Sequence, residues 1–312
     1  MPDNLLIEKL RPGRNTVNAD IPYHFLHEQE PGLDGDLQEV NTIFLTGKEC
    51  AFKCLMCDLW KNTLPVPTPQ GAILRQLDYA LERLPAANVI KLYNSSNFFD
   101  PKAVPPADYP GIIARVKHYE RVIVENHPKL SGKACAEFAE KLDGRLEVAM
   151  GLETINPAVL PKLNKQMTPE DFKKAAAFLR SHNIDVRAFV LLNPPYLTGR
   201  KENIEWTFKT VQFAFDSGTN RCTIIPVRTG NGTMELLQQE GNYVPPTLDM
   251  LEEVFEKCLA LQQGQVFVDT WDIGFTTRCP QCFEQRKQRL ELMKLRQKTY
   301  QPIACSCQSA DA

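Results

Sequence analysis

The chain has 312 residues, 43% hydrophobic and 24% charged, which suits one large globular domain with an appendage, or two domains. A net charge of −2 excludes a global field drawing the molecule to nucleic acid or anionic membrane, so any such contact needs a local patch. No run reaches the roughly 18 apolar residues of a membrane-spanning helix, so no membrane partner is expected.

Residues 1–36 read as an irregular N-terminal leader with turn signals at Arg11-Pro12-Gly13 and Glu30-Pro31-Gly32. Scattered charges and the lack of a long apolar run argue against a signal peptide, so a cytoplasmic location with reduced thiols is expected. Ten cysteines in such a chain then point to metal ligation rather than to disulfides.

Residues 37–275 alternate strand-like and helix-like runs. Short β-branched runs fall at 40–46, 88–93, 121–125, 145–150, 185–192, 221–227 and 265–269. In 68–84, Leu74, Leu77, Leu81 and Leu84 share one helical face, and Thr68-Pro69 predicts the N-terminus of that helix. Thr168-Pro169 predicts a second helix start, with Glu170 and Asp171 at its positive end. Further helices are expected over about 201–216 and from Thr247 to about Leu261. Apolar strands alternating with helices mean a parallel sheet covered by helices. The fold class is therefore α/β: a partial or complete (β/α) barrel, with a doubly wound open sheet as the competing arrangement. His24 and His27 of the leader are candidates to cover the barrel mouth.

Cys50, Cys54 and Cys57 follow the first run of the core, where a barrel places its catalytic rim. The spacing C-x3-C-x2-C lets three thiolates wrap one metal centre from a single loop. It suits a [4Fe–4S] cluster whose fourth iron takes a non-protein ligand such as S-adenosylmethionine (SAM). Zinc completed by a distant residue and chance spacing are the competing readings. A non-catalytic redox or adaptor metalloprotein is the alternative function.

This motif after the first strand of a (β/α) barrel resembles the radical SAM superfamily. Met56 stands where members commonly carry an aromatic. "KLYNSSNFFDP", "VAMGLETINPAVLPKLNKQMTPEDF" and "FVLLNPP" resemble the branch of the archaeosine synthase radical SAM subunit and, more distantly, the Elongator catalytic subunit. The resemblance implies a [4Fe–4S] cluster, SAM, and an electron donor such as a flavodoxin or ferredoxin. It also implies a 5′-deoxyadenosyl radical that abstracts hydrogen from a modified tRNA nucleoside. A small metabolite or another nucleoside is the alternative substrate. Asn94-Ser95-Ser96-Asn97 occupies the place of the family's Gly-Gly-Glu-like motif, which makes Ser95, Ser96 and Asn97 SAM-side candidates, since serine hydroxyls and backbone carbonyls can accept from an ammonium group. Glu125, Glu153 and Asn193 close later strand runs and are further SAM-side candidates. His127, two residues beyond Glu125, is the candidate for proton transfer to substrate.

Residues 276–312 form a Cys-rich basic tail. Cys279, Cys282, Cys305 and Cys307 suit zinc or a second iron–sulfur cluster. Between them, Arg286, Lys287, Arg289, Lys294, Arg296 and Lys298 make a basic run that could hold RNA phosphates, or be only a solvated face. Cys135, Cys222 and Cys258 read as small buried apolar residues.

Overall fold

The computed structural model describes residues 4–277 and 279–309. The chain opens with a short helix, α1 (Asn4–Leu10), and a strand, β1 (His24–Pro31). The seven apolar runs follow as β2 (Leu37–Phe44), β3 (Val89–Tyr93), β4 (Arg121–Glu125), β5 (Arg145–Glu153), β6 (Asp185–Leu192), β7 (Arg221–Pro226) and β8 (Gln265–Val268). The connections hold α2 (Ala72–Leu81), α3 (Tyr109–Val116), α4 (Lys133–Ala139), α5 (Pro169–Ser181), α6 (Arg200–Asp216), α7 (Thr233–Gln239) and α8 (Leu248–Leu259). The tail forms α9 (Pro280–Arg296).

The strands lie in strict sequence order, β1 to β8, in one eight-stranded sheet. β1 is antiparallel to β2 and every later pair is parallel. Order without a reversal excludes the doubly wound sheet. Glu30 of β1 pairs with Arg187 of β6, five strands along the order, so the sheet curls. The result is an α/β half-barrel.

β1 corrects the expectation of an irregular leader. Its alternation is hidden in the sequence because the inward positions are charged. Glu28 and Glu30 face the interior and meet Lys91 at 2.8 and 2.5 Å. Arg187 in turn pairs with Glu147 at 2.7 Å, and Arg221 with Glu147 at 2.6 Å. The floor of the half-barrel is thus a buried ionic layer rather than an apolar one.

The apolar core lies on the other face, between sheet and helices, where Ile43, Leu92, Val124, Val186 and Ile224 pack with Leu77, Phe138, Phe172 and Phe255. Cys135, Cys222 and Cys258 are fully buried there, as expected.

Two helix starts differ from one another. Thr168 is the expected N-cap, and with Asp171 it makes a capping box: its hydroxyl accepts the Asp171 N–H at 3.2 Å, and Asp171 accepts the Thr168 N–H at 2.8 Å. Thr168→Ala should lower stability by about 1 kcal/mol in urea unfolding; an unchanged midpoint would refute that cap. Thr68 has another task. Its hydroxyl donates to the Ala103 carbonyl at 2.7 Å and accepts from the Lys48 N–H at 2.9 Å, tying down the loop after β2. Gly71, at φ 78°, takes the N-cap position of α2 instead, and its N–H meets the Asp108 carboxylate.

The basic tail is also not a uniformly solvated face. Arg286 and Arg289 are buried and pair with Glu252 of α8, and Arg289 also with Glu256. Gln297 ends the helix. Its side-chain amide accepts the Val266 N–H and donates to the Val266 carbonyl, both at 2.8 Å, along the free edge of β8. Such cover keeps an edge strand from pairing with another chain. Among the described residues, no helix is long and apolar enough to cross a membrane.

Candidate functional site

Parallel strands all point their C-terminal ends at one rim, and β2 delivers the three-cysteine loop there. The loop has little regular structure, so side chains from elsewhere fix it. Glu49 is buried and accepts from Arg11 at 2.7 Å, and also from Arg14 and Lys53. Burial would raise its pKa, yet these three cations outweigh burial and hold it at about 2. Asn231 donates to the carbonyls of Leu55 and Cys57 at 2.9 and 3.2 Å. The Leu55 N–H reaches the Leu163 carbonyl at 2.9 Å. Met56 packs at the edge of an apolar cluster holding Leu55, Leu163 and Ile7 of α1. The sequence reading missed these supports, because Arg11, Asn231 and Leu163 lie far from the loop in the chain.

The thiols stand in a water-poor setting. Burial pushes Cys54 up to about 12 and also raises Cys50 and Cys57. Metal loading must therefore displace protons. The Asn97 side-chain amide donates to Cys50 Sγ at 3.1 Å, and its carbonyl accepts the His127 N–H at 2.7 Å. Donors of this kind tune thiolate-bound iron.

The turn after β3 supplies the next groups. Glu125 of β4 accepts from the Asn94 and Ser95 N–H groups at 2.7 and 3.0 Å. Ser95 is left-handed, at φ 53°, and its hydroxyl meets Tyr23 Oη at 2.8 Å. Burial lifts the Glu125 pKa from 4.5 to about 7, against these two backbone donors. The folded value is raised, so Glu125 favours the fold fully below about pH 4.5 and loses that contribution as pH rises through about 7. Glu125→Gln should therefore stabilise the protein by about 3 kcal/mol at pH 8 and change little at pH 4.5. Unfolding midpoints at the two pH values check this, and an equal effect at both would contradict it.

Glu153 closes β5 in the left-handed region, at φ 65°, after a bulge at Gly151. Its carboxylate pairs with buried Lys165 at 2.5 Å. A side chain at Gly151 would collide with both partners of that pair. Burial works against the Lys165 charge, but Glu153 outweighs it and raises the pKa. Lys165 lies within electrostatic reach of Cys50 and Cys54, a neighbour that the sequence reading did not identify. Asn193 closes β6, also left-handed, at φ 55°, and donates to the Val244 carbonyl at 3.1 Å.

His127 is placed differently from its expected role. Nδ1 accepts the Lys129 N–H at 3.2 Å, so Nε2 carries the proton and donates to the Lys165 carbonyl at 3.0 Å. Its ring stacks on Phe52 at 3.7 Å. Burial depresses its pKa to about 3. With both nitrogens engaged by backbone, His127 braces the cysteine loop, and its one proton is held by the Lys165 carbonyl. His24 sits at the rim beside Phe44 and Trp271. His27 does not: it lies on the outer face of β1 with Asn41 and Glu39.

Three strand-end side chains have buried polar atoms without a hydrogen-bond partner among the described residues: both amide atoms of Asn94, Ser96 Oγ and Asn193 Oδ1. Each such orphan costs about 1–3 kcal/mol unless a ligand meets it. Three thiols on one loop lack a fourth, while these unmet polar groups stand at the same rim. That donor set fits a cluster with an open iron and a polar co-ligand such as SAM.

The radical SAM superfamily model matches residues 44–214. The chain is 24% identical over 276 residues to an uncharacterized protein of Methanocaldococcus jannaschii, covering 80% of this chain and 75% of that one. It is 29% identical over 211 residues to the archaeosine synthase subunit beta of Thermococcus kodakarensis, covering 64% of each chain, less than two thirds of that relative. The fold is similar to that of Escherichia coli coproporphyrinogen III oxidase, at 14% identity and a TM-score of 0.48, over 76% of this chain and 54% of that one.

Proposed function

The chain belongs to the radical SAM superfamily and is an enzyme of that class, and on that premise we propose that it acts on a modified nucleoside of tRNA. Cys50, Cys54 and Cys57 would hold the cluster. When bound, a [4Fe–4S] cluster and SAM supply reductive cleavage of a carbon–sulfur bond and a 5′-deoxyadenosyl radical that takes hydrogen from substrate.

The observation that carries this reading is the meeting of the Cys50–Cys57 loop with polar strand ends at one rim. Asn97 donates to Cys50 and fixes the turn after β3 against the loop. Glu125, raised to about 7, would pass to its charged form on meeting an ammonium group, so SAM binding should strengthen as pH rises through about 7. Lys165, steadied by Glu153, is a cation suited to a carboxylate at the same rim. Ser95, Ser96 and Asn193 offer further polar contacts.

The tRNA substrate is supported by the likeness to an archaeosine synthase subunit. Arg286 and Arg289 are spent on α8, so phosphate contacts would need other cations. A reductant is required, and a flavodoxin or ferredoxin fits that role.

The test is anaerobic reconstitution with iron and sulfide, addition of SAM and dithionite, and assay for 5′-deoxyadenosine. Its formation is expected. No cleavage, with zinc as the sole bound metal, would sink the reading. Filter binding to tRNA at two salt concentrations tests the substrate class: binding that weakens with salt is expected, and absent or salt-insensitive binding removes tRNA.

A further inference from the structure

We infer that Cys279, Cys282, Cys305 and Cys307 bind one tetrahedral zinc ion, and not the second iron–sulfur cluster that four thiols also suggest. This assignment goes beyond the radical SAM reading and stands without it. All four sulfur atoms lie within 4.8 Å of one another. Cys279 and Cys305 Sγ are 3.8 Å apart, and Cys282 and Cys307 Sγ are 3.7 Å apart. A tetrahedral ion with zinc–sulfur bonds of about 2.3 Å has ligand-to-ligand edges of about 3.8 Å. In a cluster, thiolates on different irons are spread by the iron–iron separation as well as by their own bonds. So tight a quartet fits a single ion. Four thiolates also leave no open position, which is the donor set of structural zinc.

The surroundings agree. A zinc ion with four thiolates carries a net negative charge, and the Arg286 guanidinium lies within electrostatic reach of Cys282. Cys279 and Cys282 stand at the start of α9, while Cys305 and Cys307 lie where the chain has come back along it. Arg289 braces that return by donating to the carbonyls of Tyr300 and Gln301 at 3.0 and 2.9 Å. One ion would therefore join both ends of the tail. The helix so pinned holds Gln297 on the free edge of β8 and Arg286 on Glu252. The site's task is to clamp the tail over the half-barrel's open edge.

The full chain, purified from medium supplemented with zinc and iron, is analysed for both metals. One zinc per chain is expected, with zinc K-edge absorption showing four sulfur ligands at about 2.3 Å. The Cys305→Ser, Cys307→Ser double variant should lose that zinc and keep the iron bound on reconstitution. Iron lost in place of zinc, or unchanged metal content, overturns the assignment. So does a zinc shell of nitrogen and oxygen in the unaltered protein, a measurement that does not depend on the variant folding.

Discussion

Cys54→Ala is expected to remove cluster binding and to cut SAM cleavage by at least about 10³-fold, on the order of 4 kcal/mol in the barrier. The thiol is one of three on the loop, and losing it leaves two ligands for a centre that already lacks a fourth. The fold should survive, because the loop hangs on Glu49, Asn231 and the Leu55 N–H rather than on sulfur. Asn97→Ala gives the graded comparison. It removes the donor to Cys50 without removing a ligand, and outer groups of this kind typically change affinity or activity by about 10–100-fold. Iron content, visible absorption and 5′-deoxyadenosine yield distinguish the two variants. Cys54→Ala with undiminished iron and cleavage would show that the cluster is elsewhere. Tail zinc should be unaffected in both, since its four thiols form a separate group.

What the sequence made legible follows from where each signal sits. The seven parallel strands carry apolar residues on the face that meets the helices, and short β-branched runs announce them. The cysteine triad is legible because its ligands are neighbours in the chain. β1 is not legible, since the cations that balance its inward residues Glu28 and Glu30 are Lys91 and Arg187, far away in sequence. Lys165 was missed for the same reason: nothing near it predicts Glu153 as its partner. Thr68 shows the limit of local rules. Its cap-like position before Pro69 is overridden by loop contacts to Lys48 and Ala103. His127 shows the converse, as a residue whose chemistry invites a catalytic role and whose two nitrogens are claimed by backbone.

The ionic floor of the half-barrel yields the largest loss of stability. Arg187 is 2% exposed and joins Glu30 at 2.8 Å and Glu147 at 2.7 Å, with its guanidinium 4.9 Å from the Phe267 ring. Arg187→Ala should destabilise the protein by about 3 kcal/mol, because it leaves two buried carboxylates with one cation fewer each, Glu30 keeping Lys91 and Glu147 keeping Arg221. Burial would raise the Glu147 pKa, yet Arg187, Arg221 and Arg121 outweigh it and hold the group at about 2. The folded value is lowered, so this stability is present above about pH 4.5 and is lost as pH falls through about 2. In Arg187→Ala the loss on acidification should begin at higher pH, since Glu147 keeps Arg221 but loses its largest compensating charge. Urea unfolding from pH 3 to 8 reads both effects. The variant with Arg187→Met and Glu30→Gln together removes one cation with one carboxylate and leaves Glu147 on Arg221 and Lys91 on Glu28, so it should regain part of the loss. Equal destabilisation in the single and double variants would mean that side-chain volume, and not unpaired charge, sets the cost.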